Sequence, residues 1–187
     1  IMTHGDDRGL RLPPQVAPIQ VVVLPIAAHK PGVLEGAKVI ADRLTAAGVR
    51  VKFDDRDTVS PGWKFNEWEM KGVPVRLEVG PRDLENNQVM VARRDTFEKF
   101  ALPMDGLEGE IEALLASIQK TMFEQARDFR DEHTVEVHNY EELKAAVEGG
   151  FAKGMWCGDA ACEEKLKADI NATTRNMPFD QTPCGDT

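Results

Sequence analysis

The sequence predicts an α/β fold: a mixed β-sheet with helices packed on it in the order βαβαββα, followed by a small α+β unit. Three observations lead there. Short β-branched apolar runs alternate with stretches of helical period through the first two thirds of the chain. The first two strands are joined through a helix, which makes them parallel with a right-handed crossover. A composition shift near His133 then sets off a segment with too few residues for a generous core.

Ile19 to Leu24 is short, apolar and β-branched, the mark of a strand covered on both faces. Val33, Ala37, Ile40 and Leu44 recur at intervals of four, three and four, one face of a helix that Gly48 stops. Val49, Val51 and Phe53 alternate with Arg50 and Lys52 as a second strand. Ser60 is placed as an N-cap with Pro61 at the first helical position, and a short helix is expected from about Trp63 to Lys71, ended by Gly72 and Pro74. Val75, Leu77 and Val79 give a third strand, closed by Gly80-Pro81. Val89 to Val91 pairs, through a turn at Arg94-Asp95, with a strand from Thr96 to Phe100. From Asp105, with a capping-box-like Glu108, a long helix buries Leu107, Ile111, Leu114, Ile118, Met122 and Phe129. The small unit reads as helix (141–147), strand (151–156, ending at Cys157), helix (161–170) and strand (171–175).

The expected divisions are 1–18, the end of a preceding domain and a linker; 19–132, the sheet domain; and 133–187, the small unit. The chain opens on Ile1 rather than Met, so a piece of a longer chain is expected. With 42% hydrophobic and 29% charged residues a packed core is feasible and wholesale disorder is excluded. No apolar run approaches the roughly 20 residues of a membrane span. The net charge of −9 argues at first against nucleic acid. However, 50–99 carries ten basic and ten acidic side chains, whereas 105–150 carries four against twelve. The acidic total therefore says little about the surface that 50–99 builds.

Cys157 and Cys162 share a Cys-x₄-Cys loop, and Cys184 follows. The spacing suits half of a structural zinc site, and the alternative is a pair of free thiols. Both sulfurs are expected on one loop, close enough to share an ion. Asp54, Asp55 and Asp57 could hold Mg²⁺, or form a solvated loop with an internal pair to Arg56. Segment 60–83 is the richest: Trp63, Phe65 and Trp68 lie beside Lys64, Lys71, Arg76 and Arg82, with the carboxylates Glu69 and Asp83. Aromatics interleaved with cations and a few acceptors suit single-stranded bases, although core packing explains at least one tryptophan equally well.

Thr3-His4-Gly5-Asp6-Asp7-Arg8-Gly9-Leu10, Ser60-Pro61-Gly62-Trp63-Lys64-Phe65-Asn66-Glu67-Trp68-Glu69, Arg76-Leu77-Glu78-Val79-Gly80-Pro81-Arg82-Asp83 and the Cys157–Cys162 loop together resemble prolyl-tRNA synthetases of the archaeal/eukaryotic-like type. The resemblance covers essentially the whole chain. It implies the C-terminal half of a proline–tRNA ligase, with an anticodon-binding domain and a C-terminal zinc-binding domain. It further implies a cytoplasmic homodimer whose catalytic domain, upstream of Ile1, binds ATP and Mg²⁺, so these 187 residues alone should be inactive. The partner implied is tRNA-Pro, with Glu69, Arg76, Arg82 and Asp83 converging on one rim of the sheet to read anticodon guanines. Cys157, Cys162 and Cys184 would be zinc ligands, but the family's second cysteine pair is incomplete here. A free-standing synthetase-like accessory protein is the competing expectation.

Overall fold

A computed structural model describes residues 2–179. Strand β1 (Val21–Pro25) is buried along its whole length, as a run without polar side chains is when both faces are covered. Helix α1 (Val33–Ala46) turns Val33, Ala37, Ile40, Ala41 and Leu44 inward. Gly48, at φ 88°, ends it: its N–H donates to the Thr45 carbonyl and the Val49 N–H donates to the Leu44 carbonyl. The chain returns as β2 (Val51–Phe53), parallel to β1 with Val51 opposite Val21. Ser60 Oγ accepts from the Trp63 N–H at 3.3 Å, and Pro61 opens α2 (Pro61–Met70). Strand β3 (Val75–Val79) then pairs in parallel with the other edge of β1.

Past β3 the chain makes a turn of helix, α3 (Pro81–Glu85), where the sequence suggested only a stop. Strands β4 (Gln88–Arg93) and β5 (Lys99–Pro103) form an antiparallel hairpin, and the sheet order is β2-β1-β3-β4-β5. β5 starts three residues later than expected. Arg94 to Glu98 is consumed by the connection, which closes with the Arg93 N–H donating to the Glu98 carbonyl at 2.9 Å. Helix α4 (Leu107–Glu132) follows, and its Glu108 grips Arg43 of α1 at 2.7 and 2.9 Å rather than boxing its own cap.

Alternation gives the sheet two unlike faces. Val21, Val23, Val75, Leu77, Val79, Val89 and Val91 meet α1 and α4 in the main core, each fully buried aliphatic side chain contributing about 1.5–3 kcal/mol. On the other face α2 covers β1, where Val22 and Leu24 pack with Trp68 and Val73. The β3–β4–β5 part of this second face carries Arg76, Glu78, Ala92 and Lys99 instead. Pairing aligns Val22, Arg76, Ala92 and Lys99 in one row across four strands. The small Ala92 leaves room between the two cations.

The compact units are Ile1–Ala126 and Arg127–Thr187, so the division falls within α4, a few residues ahead of the composition change at His133. Phe129, expected in the buried stripe, is 56% exposed; it lies past the first unit and stacks on His133 at 4.0 Å. Within the second unit an unforeseen strand β6 (Thr134–Glu136) pairs in parallel with β7 (Phe151–Lys153). Between them lies α5 (Tyr140–Ala146), capped by Asn139. β7 stops at Lys153, well short of Cys157, because its three-residue partner is used up. After α6 (Ala160–Ile170) the expected strand 171–175 does not form. Asn171 adopts φ 52° and Glu163 Oε1 accepts from both the Thr174 hydroxyl and its N–H, tying the segment back to the helix. Val137 is the one buried hydrophobic side chain of this unit among the described residues, a core as slight as its size implies.

Candidate nucleic-acid interface

A hollow of about 160 Å³ opens on the second face of the sheet. Val22, Trp68, Val73 and Ala92 line it together with Arg8, Glu69, Arg76, Arg93, Arg94, Phe97 and Lys99. The cations are almost matched by carboxylates. Arg76 and Lys99 flank the buried Glu78 at 3.2 and 2.6 Å, and Arg93 pairs with Asp95 at 2.7 Å. Arg94 forms a two-pronged pair with Asp6 at 2.7 and 2.6 Å, and Arg8 reaches Glu69 at 3.3 Å. Near-neutrality makes this a surface for paired hydrogen bonding more than an electrostatic funnel. Aromatic faces border it: the Arg76 guanidinium lies 4.3 Å over Phe65, and that of Arg8 lies 4.3 Å over Phe97.

The four residues singled out from the sequence fall into two pairs. Glu69, at the end of α2, and Arg76, on β3, share the hollow. Arg82 and Asp83 stand beyond the C-terminal end of β3, on α3, and do not line it. Asp83 Oδ2 accepts the Gly80 N–H at 2.8 Å and so caps its own helix, while Arg82 is exposed with no side-chain hydrogen bond among the described residues. The aromatics divide as well. Trp68 is core, and Trp63 is half exposed with Arg56 5.4 Å from its ring.

A buried carboxylate fixes α2, and with it Glu69. Asp54 accepts from Trp68 Nε1 at 2.8 Å and from Arg56 at 2.8 and 2.6 Å, and Lys64 Nζ donates to its backbone carbonyl at 3.1 Å. Burial alone would raise the Asp54 carboxyl. The hydrogen bonds from Arg56 and Trp68 and the Lys64 charge outweigh it, holding the group well below the usual carboxylate range. The pair to Arg56 foreseen from the sequence is present, but Asp54 is buried, not solvated. No group of three or more His, Cys, Asp or Glu among the described residues is placed to hold a metal ion.

The segment before β1 is docked on α2. The Leu10 N–H donates to the Met70 carbonyl at 2.9 Å and that of Leu12 to Gly72 at 3.2 Å. Gly9, at φ 122°, lies so close that a Cβ there would sit 2.7 Å from Met70 Cα. This docking brings Arg8 to the hollow. Arg8, Phe97 and Lys99 were missed by sequence reasoning. Alternation along β3 marks Arg76 and Glu78 as facing away from the core, but Lys99 joins them only through the hairpin register.

In the second unit Cys157 and Cys162 are exposed. A hydrogen bond with the Cys157 thiol and its charge push the Cys162 thiol up. Gly158, at φ 81°, turns the loop, and Asp159 caps α6 by accepting the Ala161 N–H at 2.9 Å. Two adjacent thiols suit a soft ion as half of a tetrahedral set. Cys184 lies outside the described residues.

Residues 20–114 match the family model described as anticodon binding domain, and residues 140–187 match prolyl-tRNA synthetase, C-terminal. The chain is 53% identical over 189 residues to a proline–tRNA ligase of Alkaliphilus oremlandii, covering 100% of this chain and 39% of the relative. It is 56% identical to proline–tRNA ligase 2 of Clostridioides difficile, covering 99% and 39%, and 57% identical to a proline–tRNA ligase of Clostridium novyi, covering 97% and 38%. It thus spans about two fifths of the length of these relatives. Among the described residues no helix is long and apolar enough to cross a membrane. The chain belongs to the anticodon-binding-domain family and is similar over essentially its whole length to proline–tRNA ligases.

Proposed function

We propose that this chain is the part of a proline–tRNA ligase that reads the anticodon of tRNA-Pro. The observation that carries the reading is that Glu69 and Arg76 both line one aromatic-bordered hollow on the open face of an anticodon-binding fold. A guanine offers O6 and N7 as acceptors and N1–H and N2–H₂ as donors, so an arginine beside a carboxylate can satisfy both kinds of edge. Arg82 and Asp83, at the end of β3, would engage a neighbouring nucleotide. Activation of proline with ATP and Mg²⁺, and a homodimer contact, belong to the ligase outside these residues, and the whole works in the cytoplasm. Cys157 and Cys162 would hold a structural zinc, with the remaining ligands, Cys184 a candidate, outside the described residues.

The test is binding of an anticodon stem-loop RNA with guanine at the second and third anticodon positions, against the same RNA with adenine there. Preference for guanine is expected, and Glu69→Gln should remove about 1–3 kcal/mol of it. Equal binding of both RNAs contradicts the reading. So does proline-dependent ATP–pyrophosphate exchange by this chain alone, which would place the catalytic chemistry within it.

A further inference from the structure

Arg8 and Phe97 stand in an arrangement that the readout above does not use. Phe97 holds φ 63° in the β4–β5 connection, the left-handed region that a bulky side chain rarely adopts, and the residue is 43% exposed. An exposed aromatic kept in a strained turn beside a polar hollow is unexplained by packing. Two guanidinium groups lie against its ring instead: Arg94, pinned by Asp6, at 5.2 Å from the centroid, and Arg8 nearer at 4.3 Å, which also donates to Glu69 Oε1 at 3.3 Å.

A guanidinium in that position offers a flat π-face to Phe97 and N–H donors to a carboxylate. The Watson–Crick edge of guanine offers the same pair of features, since N1–H and N2–H₂ are donors in the plane of a stacking ring. Arg8 is also suited to leave. Its side chain is 61% exposed, and its one ion pair is long beside the two-pronged Arg94–Asp6 pair that anchors the same segment. We propose that Phe97 and Glu69 form a guanine subsite, and that Arg8 occupies it in the free chain until the base displaces it. This rests on the anticodon reading above and adds to it a stacking platform and a built-in competitor. Displacement frees Glu69 at the moment the base arrives, so a base that cannot donate to Glu69 gains nothing for removing Arg8.

Three variants of the full chain test this with the guanine stem-loop, its adenine counterpart and the thermal midpoint of the free protein. Phe97→Gly should weaken guanine stem-loop binding by about fivefold or more, the scale of a lost base–aromatic stack. The same change should raise the thermal midpoint, because glycine relieves the strained φ. Phe97→Trp keeps a π-face and should keep binding. Arg8→Ala should bind the guanine stem-loop more tightly with an undiminished salt dependence, since a competitor and not a phosphate contact is removed. Unchanged binding by Phe97→Gly, or weaker binding with a shallower salt slope for Arg8→Ala, overturns the subsite while leaving the anticodon reading intact. Absence of guanine preference in the parent chain removes the anticodon reading and this subsite with it.

Discussion

Asp54 and Trp68 are joined across the buried junction of β2 and α2 by a 2.8 Å hydrogen bond from the indole Nε1 to the carboxylate. The bond matters because Trp68 precedes Glu69: the side chain that anchors α2 in the second core sets where the next carboxylate emerges. Asp54→Ala would leave the Trp68 N–H buried without its acceptor and the buried Lys64 ammonium without its counter-charge, held only by the backbone carbonyl. It is expected to cost about 3–5 kcal/mol in denaturant unfolding of the first unit. A loss under 1 kcal/mol would mean that water or a rotamer change replaces Asp54.

The Asp6–Arg94 pair makes docking of the N-terminal segment sensitive to acid. Hydrogen bonds from Arg94 hold the Asp6 carboxyl at about 2, below its ordinary 3.8. A depressed carboxyl contributes stability that is present in full above the unfolded value and lost as the pH falls toward the folded one. Stability should therefore fall between about pH 4 and pH 2, and Asp6→Asn should flatten that part of the curve. An identical slope in parent and variant would show that other carboxylates, Glu67 among them, carry it.

Gly9 and Gly72 let two backbones touch. A Cβ on Gly72 would meet Leu10 backbone and side-chain atoms at 2.7 Å, in a residue whose φ is 72°. Gly9→Ala and Gly72→Ala should each cost about 1–3 kcal/mol, the scale of a strained backbone, and undock the first segment. Limited proteolysis would read this as faster cleavage among residues 3–12. Parent-like resistance would indicate that the segment docks by another route.

Much of this arrangement was open to reading from the residues, and the division is physical. A continuous apolar run marked β1, and Ser60 with Pro61 marked the start of α2. Period-two and period-3.6 patterns report which side of an element faces the core, so α1, β2 and β3 were legible. So was the open side of β3, because Arg76 and Glu78 alternate with Val75 and Leu77. Register across a hairpin is not a periodic property, and the five-residue connection from Arg94 to Glu98 moved β5 and hid Lys99. Phe97 falls within the strand expected from Thr96 to Phe100, so nothing marked it as an aromatic in a turn. The Arg8–Glu69 contact spans 61 positions, and nothing local announces it. In the small unit β6 escaped notice because three residues leave almost no pattern, and Asn171-Ala172-Thr173-Thr174 looked strand-like although a side-chain tie to Glu163 governs it.

Zinc should protect the small unit's thiols. Alkylation of Cys157 and Cys162 is expected to slow on addition of Zn²⁺, and chelator should restore it. Cys157→Ser should leave Cys162 reactive in either condition. If alkylation of the parent chain is indifferent to Zn²⁺, the pair holds no ion and zinc leaves the assignment.

The most direct measurement is a backbone amide NMR titration of the chain with the guanine stem-loop RNA. Shifts should concentrate at Glu69, Arg76, Ala92, Phe97 and Lys99, on the open face of the sheet, with a second group at Arg82 and Asp83. Residues of α1 and of the α4 stripe, such as Lys38, Ile111 and Ile118, should stay still. Shifts confined to the α1 and α4 face, or spread evenly over the surface, would contradict anticodon readout by this hollow.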